Sequence, residues 1–223
     1  MSKSKITASK PAAKVLIVDD HPAVREALAI RIAAQPDLVV CGEAADATEA
    51  LRLATATDPD VAVIDIGLSA GNGIDLIKRL KARNDRFRAI VWSMHSEDLY
   101  AERALRGGAM GYIDKKQATG KIIDAIRQVL DGKVYLSAPM TEKLLQRAVG
   151  PGAGRSPIDR LSDRELDVFR LIGQGLKTQE IAERLHLSVK TVETYRDRIR
   201  QKLGLSDGTT LAHFATQWLL ENG

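Results

Sequence analysis

Three aspartates follow two short apolar runs of this sequence, at positions where a fold could use them together. Val61 to Ile64 is a largely β-branched run that ends at Asp65, and the similar run Lys14 to Val18 ends at Asp19 and Asp20. Such runs are typical of strands buried on both faces of a parallel sheet. The carboxyl ends of these strands lie at one edge, where open α/β sheets bind their ligands. Three carboxylates there repel one another unless a hard cation lies among them, so the pattern predicts an acidic, cation-binding pocket.

The remaining apolar runs of the first half alternate with segments of helical periodicity. The other predicted strands are Leu38 to Ala44, Phe87 to Trp92 and Met110 to Ile113. The predicted helices are Ala23 to Ala34, Asp46 to Ala56, Ile74 to Ala82, Glu97 to Arg106 and Gln117 to Leu130. Five strands alternating with five helices require right-handed crossovers and predict an α/β fold with a doubly wound, five-stranded parallel sheet.

Two more polar residues follow predicted strands and complete a set that suits phosphoryl transfer. Ser93 comes directly after the fourth strand, and Lys115 follows the fifth. A carboxylate can attack phosphorus, acidic residues can hold a metal ion, and a hydroxyl and an ammonium can bind phosphoryl oxygens. Either residue alone is typical of a solvated surface, but their joint placement with Asp65 favours a phosphoryl site.

These residues give the first part of the chain its likeness to a known family. Residues 14 to about 131 resemble a response-regulator receiver domain in their acidic pair, strand-terminal Asp, Ser and Lys. The resemblance implies a flavodoxin-like fold in which Asp65 accepts a phosphoryl group from a sensor histidine kinase. It also implies a Mg²⁺ site made by Asp20, Asp65 and the carbonyl of Gly67, with Asp19 acting through water.

The same resemblance assigns roles around the phosphoryl group. Ser93 and Lys115 would hold the phosphoryl oxygens. Tyr112 matches the aromatic residue that changes rotamer in the family, and its alternative is an ordinary core tyrosine. Ser69 stands where the family usually has proline, which leaves that loop less rigid.

Met94 replaces the small residue that the family commonly has after the hydroxyl residue. Because the strand ends here, Met94 and His95 are predicted to lie over the mouth of the pocket and to gate it together with Gly67. A methionine occludes more than an alanine, although it is flexible enough to swing aside. The alternative is that Met94 points into the core beside Trp92.

A change in composition predicts a domain boundary. Residues 150–157 contain three Gly and two Pro among eight residues, which suits neither helix nor strand and predicts a linker. The predicted organisation is a disordered basic tail at 1–13, a receiver domain at 14–136, a helix with the linker at 137–158, and an all-helical domain at 159–223.

The second domain has the spacing of a helix-turn-helix. Ser162 and Glu165 form a capping-box pattern that opens its first helix. Thr178 to Leu185 and Val189 to Leu203 are then two helical segments joined by only three residues. Two short helices with so brief a connection are typical of a helix-turn-helix, whose second helix reads the major groove of DNA.

The second helix of this pair has one apolar and one polar face. At 100° per residue, Val192, Tyr195, Ile199 and Leu203 share the core side. The predicted DNA-binding residues are Lys190, Thr191, Glu193, Thr194, Asp197, Arg198, Gln201 and Lys202. Polar side chains read bases, and the basic flanks hold phosphates. The alternative is a solvated helix face, which the two acidic residues favour.

The context of this helix supports the DNA-binding interpretation. Residues 161–215 resemble a LuxR-type helix-turn-helix in Leu-Ser-x-Arg-Glu, in Lys-Thr-Val-Glu-Thr and in the closing Lys-Leu-Gly. Together with the receiver, nearly the whole chain resembles a response regulator of the NarL/FixJ type. In the last helix, Leu211, Phe214, Ala215 and Trp218 resemble the family's dimer helix, with an ordinary core as the equal alternative.

Charge, cysteine content and apolar run length exclude some classes of function and require none. The formal net charge is +4, but the second domain from Asp159 onward has ten basic and ten acidic residues. Bulk charge therefore does not argue for nucleic-acid binding, and local clustering must. The single Cys41 excludes a disulfide framework and suits the cytoplasm, and the sequence has no apolar run of membrane-spanning length.

These patterns together predict a phosphorylation-dependent transcription regulator of a two-component system. Its expected partners are a sensor histidine kinase, double-stranded DNA, a second copy of itself when phosphorylated, and RNA polymerase. One alternative is a degenerate receiver that works through protein contacts without phosphate. The enzyme alternative is a Mg²⁺-dependent phosphatase with an Asp nucleophile, but such enzymes usually carry two Asp two positions apart, whereas Asp19 and Asp20 are adjacent. The protein is therefore not expected to be an enzyme.

Overall fold

A computed structural model describes residues 11–69, 71–116, 120–149 and 157–222 of the chain. Its first half contains the strands β1 (Ala13–Val18), β2 (Leu38–Ala44), β3 (Val61–Ile64), β4 (Ala89–Ser93) and β5 (Gly111–Asp114). They form one sheet of order β2-β1-β3-β4-β5, in which every pairing is parallel. This confirms the predicted doubly wound sheet, with β3 at its centre.

Five helices cover the two faces of this sheet. They are α1 (Pro22–Ala33), α2 (Ala47–Thr57), α3 (Gly73–Arg83), α4 (Glu97–Arg106) and α5 (Lys121–Leu130). Successive strand residues face opposite sides, so Leu16 packs in the layer with α2, α3 and α4, and Ile17 packs in the layer with α1 and α5. The predicted start of the last helix at Gln117 lies outside the described residues.

The segment after α5 stays on the sheet domain, which is the α/β part of the chain. Tyr135 forms an isolated parallel bridge with Gly111 of β5. The helix α6 (Ala138–Val149) then packs against α4, where Lys143 Nζ lies 2.9 Å from Asp98 Oδ1 and Met140 is buried. Residues 135–149 therefore cover part of the face made by α4 and β5. The predicted linker residues 150–156 lie outside the described residues.

The second half is helical, as predicted. After a 3₁₀ turn (Pro157–Arg160) come α7 (Asp163–Gly173), α8 (Thr178–Arg184), α9 (Val189–Leu203) and α10 (Gly208–Asn222). The capping box at α7 is present, since Ser162 accepts a hydrogen bond from the Glu165 backbone and donates its own N–H to the Glu165 carboxylate. Gly204 ends α9 at φ 68°, a left-handed conformation that suits glycine.

The apolar face of α10 belongs to the core of this helical domain. Leu211 and Ala215 are fully buried. Phe214 and Trp218 pack on Phe169 of α7, with ring centroids 6.0 and 5.7 Å apart. Phe214 and Trp218 remain half-buried, so the role of this face in dimerisation stays a prediction. None of the helices in the described parts of the chain is long and apolar enough to cross a membrane.

Candidate functional site

The strand ends bring a carboxylate, an ammonium and a hydroxyl into direct contact. Asp65 follows β3 and is 5% exposed. Lys115 Nζ lies 2.6 Å from Asp65 Oδ2, and the Ser93 hydroxyl donates a 2.5 Å hydrogen bond to Asp65 Oδ1. The same ammonium lies 2.5 Å from Asp19 Oδ2. The structure thus brings together four of the residues that the sequence placed at this edge.

The electrostatics of this contact favour an ionised Asp65. Burial alone would raise the pKa of Asp65, but the ammonium of Lys115 and the hydrogen bonds from Lys115 and Ser93 outweigh it and lower the pKa. Burial would lower the pKa of Lys115, and its two carboxylate partners raise it instead. Lys115 thus lies among the carboxylates, at the sheet edge where the sequence predicted it. Asp65 is therefore ionised at neutral pH, and only the ionised side chain can act as a nucleophile.

The acidic residues next to Asp65 fit a small hard cation. Asp19, Asp20, His21 and Asp65 each offer a ligand atom, and these atoms lie within 4.8 Å of one another. Asp20 Oδ1 is buried and accepts no hydrogen bond of good geometry from the described residues, although His21 Nδ1 is 2.8 Å away. A buried carboxylate oxygen without a donor is costly, and Mg²⁺ prefers such oxygens. His21 joins this group although the sequence singled out only the acidic residues, because its place beside the acidic pair was its only signal.

Gly67 also lies beside the pocket, because its backbone N–H donates a 3.3 Å hydrogen bond to Asp65 Oδ1. A side chain there would crowd the neighbouring histidine, since a Cβ on Gly67 would lie 3.2 Å from His95 Cε1. The loop after β3 and the loop after β4 therefore meet over Asp65.

His95 is half-buried beside the pocket. Its Nδ1 is 3.1 Å from the Ser93 hydroxyl, and its backbone carbonyl accepts a 2.8 Å hydrogen bond from the buried Tyr112 hydroxyl. Burial, and after it the positive charge of Arg170, lowers the pKa of His95 to about 4, so the ring is neutral at neutral pH. Its ring packs edge-on against Tyr100 of α4, with centroids 4.9 Å apart.

Met94 points away from the core. Met94 is 55% exposed, so the alternative of a core methionine beside Trp92 is wrong. Trp92 is itself buried, and Lys115 Nζ lies 5.6 Å from its ring centroid. The gating role of Met94 stays a prediction.

The second helix of the helix-turn-helix, α9, presents the polar face that the sequence predicted. Val192 and Ile199 are buried, while Tyr195 and Leu203 are half-buried against the domain. The exposed predicted residues are Lys190, Glu193, Thr194, Asp197, Arg198, Gln201 and Lys202, and Thr191 is half-exposed. The face is thus available to a partner.

Several side chains on α9 already have partners within the domain. Lys202 Nζ lies 2.6 Å from Glu165 Oε2, and Arg200 lies 2.5 Å from Asp197 Oδ1. Burial would raise the pKa of Glu165, but hydrogen bonds from Lys202 and Ser162 lower it. Lys202 therefore helps to hold α9 on α7, a role that the sequence did not reveal.

A doubly wound sheet with this strand-end pocket, joined to a helix-turn-helix domain, defines a two-domain response regulator. Residues 15–127 match the family described as response regulator receiver domain, and residues 159–215 match the bacterial regulatory proteins of the luxR family. The chain belongs to the response regulators that combine these two domains. We therefore call the sheet domain the receiver domain and the helical domain the DNA-binding domain.

Relatives of known role share this organisation. The chain is 35% identical over 204 residues to the DNA-binding transcriptional activator DevR/DosR of Mycobacterium tuberculosis, covering 92% of this chain and 94% of that protein. It is 35% identical over 202 residues to the transcriptional regulatory protein LiaR of Bacillus subtilis, covering 91% and 96%.

A solved relative extends the comparison to three dimensions. RcsB from Salmonella enterica serovar Typhimurium, bound to promoter rprA in the presence of the phosphomimetic BeF₃⁻, superposes with a TM-score of 0.61 at 26% identity. That comparison covers 92% of this chain and 98% of RcsB. The likeness thus spans both domains.

Proposed function

We propose that this protein is a transcription regulator of a two-component system that is switched by phosphorylation of Asp65. The observation that carries the proposal is the contact of one Asp65 carboxylate with both Lys115 and Ser93. These two groups neutralise and orient the nucleophile before reaction. After reaction they can move onto the new phosphoryl oxygens, which need a cation and a donor in the same place.

The phosphoryl group would come from a phosphohistidine of a sensor kinase. A carboxylate oxygen of Asp65 attacks phosphorus, the P–N bond breaks with its electron pair passing to the imidazole, and an acyl phosphate forms. The acyl phosphate adds about one to two negative charges to the pocket. Ser93 and Lys115 would bind that charge.

The acidic residues beside Asp65 support a Mg²⁺ site. Asp20, Asp65 and the carbonyl of Gly67 would bind the ion, with Asp19 acting through water, and the bound ion would screen the negative charge of the phosphoryl group. Tyr112 would serve as the switch residue, because its hydroxyl bonds to the loop that carries His95. Met94 and His95 would control access from solvent.

The partners follow from the second domain and from the relatives. We propose that α9 enters the major groove of double-stranded DNA, with the exposed residues from Lys190 to Lys202 making the contacts. One RcsB structure is described as two RcsB dimers bound to two parallel DNAs. A phosphorylated homodimer on two half-sites is therefore the form that we propose here, acting in the cytoplasm with RNA polymerase as a further partner.

We also propose the organisation given above, with a tail at 1–13, a receiver at 14–136, a connecting helix and linker at 137–158 and a DNA-binding domain at 159–223. The receiver and DNA-binding family matches fall within the second and the last of these ranges. In this arrangement the protein transmits a signal and does not turn over a substrate.

Phosphoryl uptake and DNA selection together test this function. Incubation with acetyl phosphate and Mg²⁺ should add one phosphoryl group to the protein by intact mass, and Asp65→Asn should abolish that addition. The exposed Asp75→Asn serves as the matched control and should be labelled as the original protein is. Selection from random duplex DNA should then yield a two-half-site consensus with the labelled protein.

Each alternative has its own outcome in these experiments. A consensus obtained without any labelling would favour the degenerate receiver. Continuous release of phosphate from a phosphoester would favour a phosphatase. Label that persists in Asp65→Asn would refute the assignment of the phosphorylated residue.

A further inference from the structure

One imidazole nitrogen lies among the carboxylates of the acidic pocket. His21 Nδ1 is 2.8 Å from Asp20 Oδ1 and 3.4 Å from Asp19 Oδ1. Pro22 restricts the residue before it to an extended backbone, and His21 has φ −89° and ψ 112°. The His21 backbone N–H also donates a 3.0 Å hydrogen bond to Asp19 Oδ1. Local backbone geometry therefore places the ring beside the acidic pair.

Most carboxylate oxygens of this group already have hydrogen-bond donors. Both oxygens of Asp19 and both of Asp65 accept hydrogen bonds, from Lys115 and from neighbouring groups of the pocket. Two ligand atoms differ from these, Asp20 Oδ1 and His21 Nδ1. Within the described parts of the chain, neither atom takes part in a hydrogen bond of good geometry, although they lie 2.8 Å apart.

The close approach of these two atoms requires a positive charge beside them. A carboxylate oxygen and the lone pair of a ring nitrogen repel each other at this distance. A proton on Nδ1 would relieve the repulsion through a hydrogen bond, but the contact lacks the geometry of one. A divalent ion satisfies both atoms at once, because an octahedral ion with bonds of about 2.1 Å has neighbouring ligand atoms about 3 Å apart. The separations of His21 Nδ1 from the two carboxylate oxygens, 2.8 and 3.4 Å, suit such neighbours.

We propose that His21 Nδ1 is a ligand of the metal ion in this pocket and makes the site selective for a divalent transition metal over Mg²⁺. This inference rests on the metal site proposed above and concerns which ion that site takes. Imidazole nitrogen binds first-row transition metals well, whereas Mg²⁺ prefers oxygen ligands and keeps several of its waters. Carboxylates together with one imidazole therefore raise the affinity for ions such as Mn²⁺, Fe²⁺ and Co²⁺ and add nothing for Mg²⁺.

His21 can act as a ligand without a rearrangement of the pocket. Its side chain is 69% exposed, so the second ring nitrogen can keep its proton and bond to water, which leaves the lone pair on Nδ1. Among the described residues, His21 is the one histidine of this ligand group. His95 is turned to a different partner, since its Nδ1 lies 3.1 Å from the Ser93 hydroxyl.

Electron spin-echo spectroscopy of bound Mn²⁺ tests the nitrogen ligand directly. Mn²⁺ alone is the probe, added to the full chain below the protein concentration. We expect the echo modulation of a directly bound imidazole nitrogen in the original protein and its loss in His21→Ala. The exposed His213→Ala is the matched control and should keep the modulation. Asp20→Asn should weaken Mn²⁺ binding itself, which shows that the ion is in the pocket.

Calorimetric titration with Co²⁺ and with Mg²⁺ tests the selectivity. In His21→Ala the affinity for Co²⁺ should fall about tenfold or more, because even the loss of an outer-shell partner costs about 10- to 100-fold in metal affinity. The affinity for Mg²⁺ should stay within about twofold, because Mg²⁺ makes no bond to the imidazole. An unchanged Mg²⁺ affinity also shows that the pocket of the variant is intact.

The outcomes separate the His21 ligand from the site on which it rests. Mn²⁺ that depends on Asp20 but has no nitrogen modulation would overturn the ligand and leave the proposed Mg²⁺ site standing. Modulation that survives His21→Ala would also overturn it. Equal losses of Co²⁺ and Mg²⁺ affinity in His21→Ala would overturn the selectivity. If no divalent ion binds in an Asp20-dependent way and acetyl phosphate labels nothing, the proposed function fails, and the inference fails with it.

Discussion

The Lys115 ammonium bridges two carboxylates, lying 2.6 Å from Asp65 Oδ2 and 2.5 Å from Asp19 Oδ2. One of these carboxylates is the proposed phosphoryl acceptor, and the other belongs to the proposed metal site. In the resting protein Lys115 therefore neutralises part of the negative charge of both carboxylates.

Lys115→Ala should make the receiver less stable without Mg²⁺ and more dependent on it. Removing one partner of a buried ion pair leaves the other charge uncompensated and costs about 3 kcal/mol. Added Mg²⁺ should recover more stability in the variant than in the original protein, because the cation replaces the lost charge. Thermal unfolding with and without Mg²⁺ measures this, with the exposed neighbour Lys116→Ala as control. Equal melting temperatures for both variants would show that the bridge does not stabilise the pocket.

Glu165→Gln should lower the stability of the DNA-binding domain at neutral pH and should lower it less in acid. The pKa of Glu165 is lowered in the folded state, so its contribution is present above the ordinary glutamate pKa and is lost as the pH falls through the lowered value. We expect a loss of about 1 kcal/mol at pH 7, the usual worth of a helix cap. Calorimetry of the full chain from pH 7 downward should show the difference narrowing, while the exposed Glu221→Gln stays like the original. A pH-independent difference would contradict the ion pair with Lys202.

Arg198→Ala should weaken binding to all DNA sequences and reduce the salt dependence of binding by about one unit. Arg198 is exposed at the edge of the polar face of α9. Lys202→Ala should change the salt dependence less, because Lys202 is engaged by Glu165. Binding measured over a range of salt concentrations, by fluorescence anisotropy, compares the two variants directly. Equal changes in the salt dependence for both variants would show that Lys202 leaves Glu165 and contacts a DNA phosphate in the complex.

Glu193→Ala and Thr194→Ala should instead alter which bases are preferred, by about 1–3 kcal/mol per position. Both residues are exposed near the middle of the polar face of α9. Selection from random duplexes with each variant, beside Gln217→Ala on α10 as control, reveals the preference. An unchanged consensus in both variants would mean that this face does not read bases.

Met94→Ala should speed labelling by acetyl phosphate and shorten the lifetime of the phosphoryl group. The exposed methionine follows the hydroxyl residue directly, so a smaller side chain should let small donors and water approach Asp65 more easily. Stability should change by no more than about 0.5 kcal/mol, as for other surface positions. Rates of uptake and of hydrolysis, measured by intact mass, check this. If both rates stay as in the original protein, Met94 is not a gate.

The sequence alone determined the sheet, the strand-end residues and the helix-turn-helix. These features depend on local patterns, because a buried strand needs a continuous apolar run and a helix needs apolar residues every three or four positions. Once the strands are parallel, their carboxyl ends share one edge, which brings Asp19, Asp65, Ser93 and Lys115 together. The angular position of residues on α9 follows from helix geometry in the same way.

The tertiary structure alone decided which of these side chains bond to one another. The sharing of Lys115 between Asp19 and Asp65, and the use of Lys202 by Glu165, depend on distances between elements far apart in sequence. The same is true of the contacts that Phe214 and Trp218 of α10 make with Phe169 of α7. Tyr100 and Asp167 each lie in an amphipathic helix and show no pattern of their own. Their hydrogen bond, which the Tyr100 hydroxyl donates to Asp167 Oδ1 at 2.8 Å, exists because the two domains pack with α7 against α3 and α4. Such packing depends on complementary surfaces that local periodicity does not encode.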